Sequence, residues 1–179
     1  MKIYSIIILL TSLFMVSCSE KDKENTDAIS GIYINTVFDV IYNDNLHEDM
    51  LDPEYKNGYD TDQIQLLNLI DGKLVPFYEW NLDNPKGYKI YYRTDFKTNV
   101  LSIQGMQGVA MNKREDSENY YYEITSFLQL SKTVTDTIKM EVLEGKNPKY
   151  WVAHKIWYNN ELKWDKDTSN AAQVITVIK

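Results

Sequence analysis

The chain has 179 residues, with 26 Asp and Glu against 19 Lys and Arg, a formal net charge of −7. That balance repels nucleic-acid phosphates, and no local basic stripe offsets it, so no nucleic-acid partner is expected. One cysteine excludes internal disulfides and two histidines leave little imidazole for catalysis, while 14 Tyr and 4 Trp with only 7 Gly and 4 Pro favour a β-rich fold over a disordered chain.

Lys2 places a charge before an apolar run at residues 3–16, which includes Ile6, Ile7, Ile8, Leu9 and Leu10. The run is shorter than the ~20 residues a helix needs to cross a bilayer, so it is expected to be a secretory signal. Met15-Val16-Ser17-Cys18 resembles a bacterial lipobox, in which the cysteine is lipidated and becomes the first residue after cleavage. The competing reading is a plain secretory signal with a free thiol, a liability in an oxidising compartment. Residues 1–17 are thus expected as signal peptide, with Cys18 and residues up to 28 as lipidated tether, and residues 29–179 as one all-β domain. Ser19 stands where an inner-membrane retention signal would place Asp, and Glu20-Lys21-Asp22-Lys23-Glu24 is similar to surface-export tracts of Bacteroidetes-type lipoproteins. The expected address is therefore the outer membrane, facing the cell surface or, alternatively, the periplasm.

Residues 31–42 read as strand, with Ile32 and Ile34 alternating against Tyr33 and Asn35 before Phe38 and Val40. Residues 43–62 form a long acidic loop punctuated by Pro53 and Gly58. Residues 63–70 and 73–80 flank Asp71-Gly72, a hairpin signal that sets Leu66 opposite Phe77 and Leu69 opposite Leu74. Apolar residues on both faces suggest a central hairpin, although Pro76 argues for an edge or bulge.

Residues 88–94 alternate, Tyr88, Ile90 and Tyr92 against Lys89, Tyr91 and Arg93, with a partner strand at 100–104. A short strand at 109–111 and a polar loop at 112–119 follow. Residues 120–125 and 127–130 read as two extended pieces joined by a bulge near Ser126. Residues 137–143 form a clear amphipathic strand, with Ile138, Met140 and Val142 inward and Thr137, Lys139 and Glu141 outward. A second hairpin turns at Asn159-Asn160, between residues 150–158 and 161–165, and residues 174–178 close the chain as a strand. About ten short strands without a sustained helical period predict an all-β antiparallel sandwich, with a lipocalin-like meander barrel as the alternative.

Three segments carry a resemblance: residues 46–53, ending Asp49-Met50-Leu51-Asp52-Pro53; Asn81-Leu82-Asp83-Asn84-Pro85-Lys86-Gly87; and the C-terminal run with Asp136-Thr137-Ile138-Lys139 and Lys155 to Leu162. Together with the lipobox they resemble a group of small Bacteroidetes-type outer-membrane lipoproteins. The resemblance implies address and fold and carries over no catalytic residue.

Candidate sites follow from residue type. Trp151, Lys155 and Trp157 fall on one face of a regular strand, with Leu162 and Trp164 across the hairpin, and exposed aromatic faces stack on sugars. The competing reading puts this face in the core. Asp44, Glu48, Asp49 and Asp52 offer oxygens to Ca²⁺, without EF-hand spacing, so a solvated loop is the plainer reading and no other cofactor is implied. Asp136-Thr137-Ile138 resembles an O-glycosylation sequon of this bacterial group, with Thr137 as acceptor. His154 is expected opposite Asp165, a rim pair without a nucleophile elbow. With no catalytic motif, the expected role is non-enzymatic binding of a glycan or protein at the cell surface. The alternatives are a carrier of a small apolar ligand and a structural subunit of an outer-membrane complex.

Overall fold

The structure, a computed structural model, describes residues 33–104, 106, 111–169 and 172–179. The expected signal peptide, Cys18 and tether lie outside the described residues. Twelve strands occur among the described residues: β1 (Tyr33–Asn35), β2 (Phe38–Asn43), β3 (Gln65–Ile70), β4 (Lys73–Pro76), β5 (Tyr88–Arg93), β6 (Thr98–Ile103), β7 (Met111–Glu115), β8 (Asn119–Gln129), β9 (Thr135–Gly145), β10 (Tyr150–Tyr158), β11 (Glu161–Asp165) and β12 (Val174–Ile178). They form an eight-stranded sheet, ordered β1-β10-β9-β8-β3-β4 with β11 also on β10 and β7 also on β8, and a four-stranded sheet, β12-β2-β6-β5. The fold is an all-β sandwich, and the sheets do not close into a barrel.

One detail of the expectation is corrected. β1 lies parallel to β10 and β12 parallel to β2, so neither sheet is purely antiparallel. Each parallel pair joins strands far apart in sequence, as the long connection of a parallel pair requires.

The long β8–β9 ladder is the spine of the large sheet. It runs in unbroken register from Asn119 opposite Gly145 to Gln129 opposite Thr135. The bulge expected near Ser126 is absent: Ser126 pairs with Ile138 without a register shift, and its buried hydroxyl is satisfied by donating to Asn68 Oδ1 at 3.2 Å. Ile138, Met140 and Val142 point into the core as expected. The polar stretch expected as loop carries β7, which extends β8 with Lys113, Arg114 and Glu115.

Both hairpin turns form where the sequence places them. Asp71 and Gly72 take φ of 50° and 76°, and Leu69 pairs with Leu74 while the Phe77 N–H donates to the Leu66 carbonyl. Asn159 and Asn160 take φ of 47° and 67°. The first hairpin is not central, however: β4 is an edge strand, exposed along its whole length, where Pro76 needs no ladder donor.

The core lies between the sheets. Phe38, Val40 and Tyr42 of β2 and Leu101 and Ile103 of β6 pack with Leu66, Leu128, Met140, Ala153 and Ile156 of the large sheet. The acidic loop is tied to this core. Leu51 is buried, and the Met50 and Tyr59 N–H groups donate to the carbonyls of Tyr42 and Met50. Burying one leucine contributes about 1.5–3 kcal/mol, enough to bias such a loop toward one conformation.

Candidate functional site

The outer face of the small sheet carries a polar cleft. Even-numbered residues of β2 enter the core, so Asp39 and Ile41 face the other way. Asp39 is 6% exposed, and a buried carboxylate needs partners. Arg93 Nη1 donates to its Oδ2 at 2.7 Å and the Tyr91 hydroxyl donates to the same oxygen at 3.1 Å. Both partners come from β5, two strands away, and reach over β6.

Arg93 also clamps Asp95 and lies over the Phe96 ring, 4.5 Å from its centroid. The hydrogen bond with Asp95 raises the Arg93 pKa, desolvation opposes it, and Asp39 adds to the rise, so this guanidinium is a fixed positive charge. Asp39, Ser102 and Lys89 occupy successive register positions across β2, β6 and β5 and form the floor. Asn35, Val37, Gln104, Ala172 and Gln173 complete a cleft of about 370 Å³. Gln104 Oε1 accepts from Asn84 Nδ2 at 2.6 Å, which fixes the amide. Gln173 Oε1 is buried and has no hydrogen-bond partner among the described residues.

The cleft therefore offers a cation, hydroxyls, amides of both polarities and the ring of Tyr91, which is 38% exposed. Its volume is within the usual range for small-ligand sites. Alternation of Lys89, Tyr91 and Arg93 was the available sequence signal, together with an acid inside the apolar run Phe38-Asp39-Val40-Ile41. The Asp39–Arg93 pairing, across 54 positions, had none.

The sequence-derived candidates lie elsewhere. Trp151, Trp157 and Trp164 do not make one platform. The β10–β9 register shifts between Ala153 and Lys155, so Lys155 and Trp157 are carried to the face opposite Ala153. Trp157 remains on the outer face with Lys139 Nζ 4.2 Å above its ring, and Trp151 is half-exposed near the end of the strand. Trp164 pairs with Ile156 and is buried in the core, its indole N–H without a partner among the described residues. Trp157 faces Leu162 as expected, but Lys155 rather than His154 stands opposite Asp165, with Nζ 3.4 Å from its Oδ2.

In the acidic loop the carboxylates act locally. Asp44 Oδ1 accepts from the Leu46 and Glu48 amides and Oδ2 from the Tyr55 hydroxyl, the bond that chiefly lowers its pKa. Asp49 accepts from the Leu51 amide and from Asn99, and Asp52 from the Glu54 amide. Asp44, Glu48, Asp49 and Asp52 do not converge as a set of metal-ligand oxygens in the structure. A second polar cleft, about 330 Å³, is lined by His47, Glu48, Asp49, Phe96 and Lys97 on the same sheet. Thr137 is half-buried, and its neighbour Asp136 is buried and held by Tyr158, Asn159 and Lys179.

Two further surface features bear on function. An apolar pocket of about 170 Å³ lies among Ile64, Leu66, Phe77 and Tyr88. Leu69, Ile70, Leu74, Tyr78 and Trp80 stand exposed on and beyond the β3–β4 hairpin, Trp80 at 82%. Among the described residues no helix is long and apolar enough to cross a membrane. Comparison with protein-family models, with curated proteins and with solved structures finds no match to this chain.

Proposed function

We propose that the protein is a lipid-anchored binding protein of a bacterial outer membrane, displayed at the surface, which takes a saccharide or similar polyhydroxylated ligand in the cleft of the small sheet. The observation that carries this reading is the lining of that cleft: buried Asp39 holds Arg93 and the half-exposed Tyr91 in place, which fixes a cationic donor and an aromatic ring, and Gln104 and Gln173 add amides. Hydroxyl-rich ligands satisfy such mixed amide and charged groups while stacking a C–H face on tyrosine. No catalytic step is assigned to the site.

The lipobox at Cys18 supports the anchor and the charged tract after it supports surface display. A bacterial lipoprotein cysteine holds more than one acyl chain, which makes attachment stable. A glycan array probed with the full chain in detergent micelles tests the ligand class. Selective retention of particular glycans is expected, and silence across the array contradicts the reading.

A second reading, a subunit of an outer-membrane complex, is favoured by the exposed apolar residues of the β3–β4 hairpin. Co-purification of a stoichiometric membrane partner, lost on Trp80→Ala, is its test. The apolar-carrier reading has less support, because the apolar pocket, about 170 Å³, is smaller than the ~300 Å³ at which ligand pockets begin.

A further inference from the structure

The outer face of the large sheet holds a second constellation, built around the one buried histidine among the described residues. His154 sits at the β10 bulge: Lys155 takes the register position opposite Glu141 of β9, and the His154 ring reaches the same Glu141. An extra residue at a bulge re-aims a side chain that regular alternation would send elsewhere. The imidazole is 5% exposed, its ring 5.4 Å from that of Tyr121.

The two ring nitrogens have distinct surroundings. Nδ1 lies 2.5 Å from Glu141 Oε1. Glu141 is in turn gripped by Arg114, whose Nε and Nη2 donate to it at 3.0–3.2 Å while the guanidinium stacks 3.6 Å over Tyr121. Nε2 points the opposite way, to the turn that follows β11, where Asp167 Oδ2 is 3.0 Å distant. Asp165 stands at the same turn, its Oδ1 accepting from the Asp167 amide. One ligand atom from each of His154, Asp165 and Asp167 lies within 4.8 Å of the others.

This is the layout of a histidine metal ligand with its outer carboxylate. Ligating imidazoles characteristically donate their far N–H to a carboxylate, which fixes tautomer and orientation. We propose that His154, Asp165 and Asp167 bind a divalent transition ion of the zinc class, with Glu141 and Arg114 positioning the imidazole and water completing the shell. Imidazole with two carboxylates suits zinc better than Ca²⁺, which takes 6–8 oxygens. The Asp167 side chain is 65% exposed and free to close on an ion. Lys155 Nζ, 3.4 Å from Asp165 Oδ2, is the cation nearest that carboxylate and is partly exposed, so an incoming ion displaces it toward solvent. The bound ion would pin the turn after β11 to the centre of β10.

The test uses the full chain without a histidine tag, in detergent, stripped with chelator and titrated with ZnCl₂ by calorimetry and with Co²⁺ by visible absorption. One equivalent of zinc, a raised melting temperature and d–d bands of a low-symmetry Co²⁺ site are expected. Asp167→Asn, at an exposed turn, keeps the far-ultraviolet dichroism of the wild type and loses zinc affinity. Glu141→Gln weakens it by about 10–100-fold through the outer shell. His154→Ala abolishes binding, and because it alters a buried cluster, the Asp167 variant carries the decision. Absence of stoichiometric zinc uptake by the wild type, or undiminished uptake by Asp167→Asn, overturns the proposal.

Discussion

Tyr42 of the small sheet and Tyr158 of the large sheet meet hydroxyl to hydroxyl at 2.9 Å inside the core. Tyr158 donates onward to Asp136 Oδ2, and Asp136 also receives Lys179 Nζ on both oxygens and Asn159 Nδ2. This satisfied chain joins the two layers by direction as well as by apolar contact. Tyr158→Phe strands the Tyr42 hydroxyl and removes one donor from a buried carboxylate. A loss of about 2–3 kcal/mol is expected from urea unfolding of the full chain, because a bond to a charged group and a neutral one are both lost. Tyr42→Phe, which leaves the Tyr158–Asp136 bond intact, costs about 1 kcal/mol.

The same network sets the response to pH. Burial raises the Tyr158 pKa, with the proximity of Tyr42 and Asp136 adding to it, and burial raises Tyr42 likewise. The folded state therefore holds these protons more tightly than the unfolded chain. Their contribution is full below the ordinary tyrosine value of about 10 and is lost as pH rises beyond it. For Asp136, burial opposes ionisation, but the hydrogen bonds from Asn159, Lys179 and Tyr158 outweigh it and lower its pKa. Its contribution is present above the ordinary carboxylate value of about 3.9 and is lost as pH falls from there through the lowered folded value. Melting temperatures measured across pH should fall at both ends, and Tyr158→Phe should flatten the alkaline limb.

The tryptophans separate by environment. Trp164 is buried and Trp80 is 82% exposed, so quenching by acrylamide should reach Trp80 readily and spare a blue-shifted component that Trp164→Phe removes. Because the Trp164 indole N–H has no partner among the described residues, the phenylalanine variant is expected to lose packing rather than a hydrogen bond. It should cost far less than Trp164→Ala, for which about 3–5 kcal/mol is expected.

What could be read from the chain was what local chemistry decides. Asp71-Gly72 and Asn159-Asn160 fix two-residue turns, and turn length fixes register, so the partners of Leu69 and Trp157 followed. The alternation of Ile138, Met140 and Val142 placed β9 correctly. The His154 bulge was hidden because one extra residue reverses every face that simple alternation assigns, which is why Trp151 and Trp157 part. β7 was hidden because it borders a sheet and carries Lys113, Arg114 and Glu115 where a loop would also carry charge. The cleft depended on β2 lying beside β6, a tertiary fact that brings Asp39 to Arg93.

The anchor is tested independently of the fold. Cys18→Ser removes the sulfur that the lipobox would modify. Membrane fractionation should then shift the chain from the outer membrane to a soluble or unprocessed form, and mass spectrometry of the wild type should find Cys18 acylated. A bare thiol there would remove the basis for the lipid anchor.

The binding cleft is tested most directly by titrating the best-retained glycan from the array against the wild type and Tyr91→Ala by calorimetry. Tyr91 contributes a ring to the cleft, while Asp39 keeps Arg93 as partner when the ring is removed. The wild type should bind with one site, and the variant, folded by dichroism, should lose about tenfold in affinity or more, equivalent to about 1.4 kcal/mol. Equal affinity in the two proteins, or no glycan bound by the wild type, would contradict a saccharide site on the small sheet.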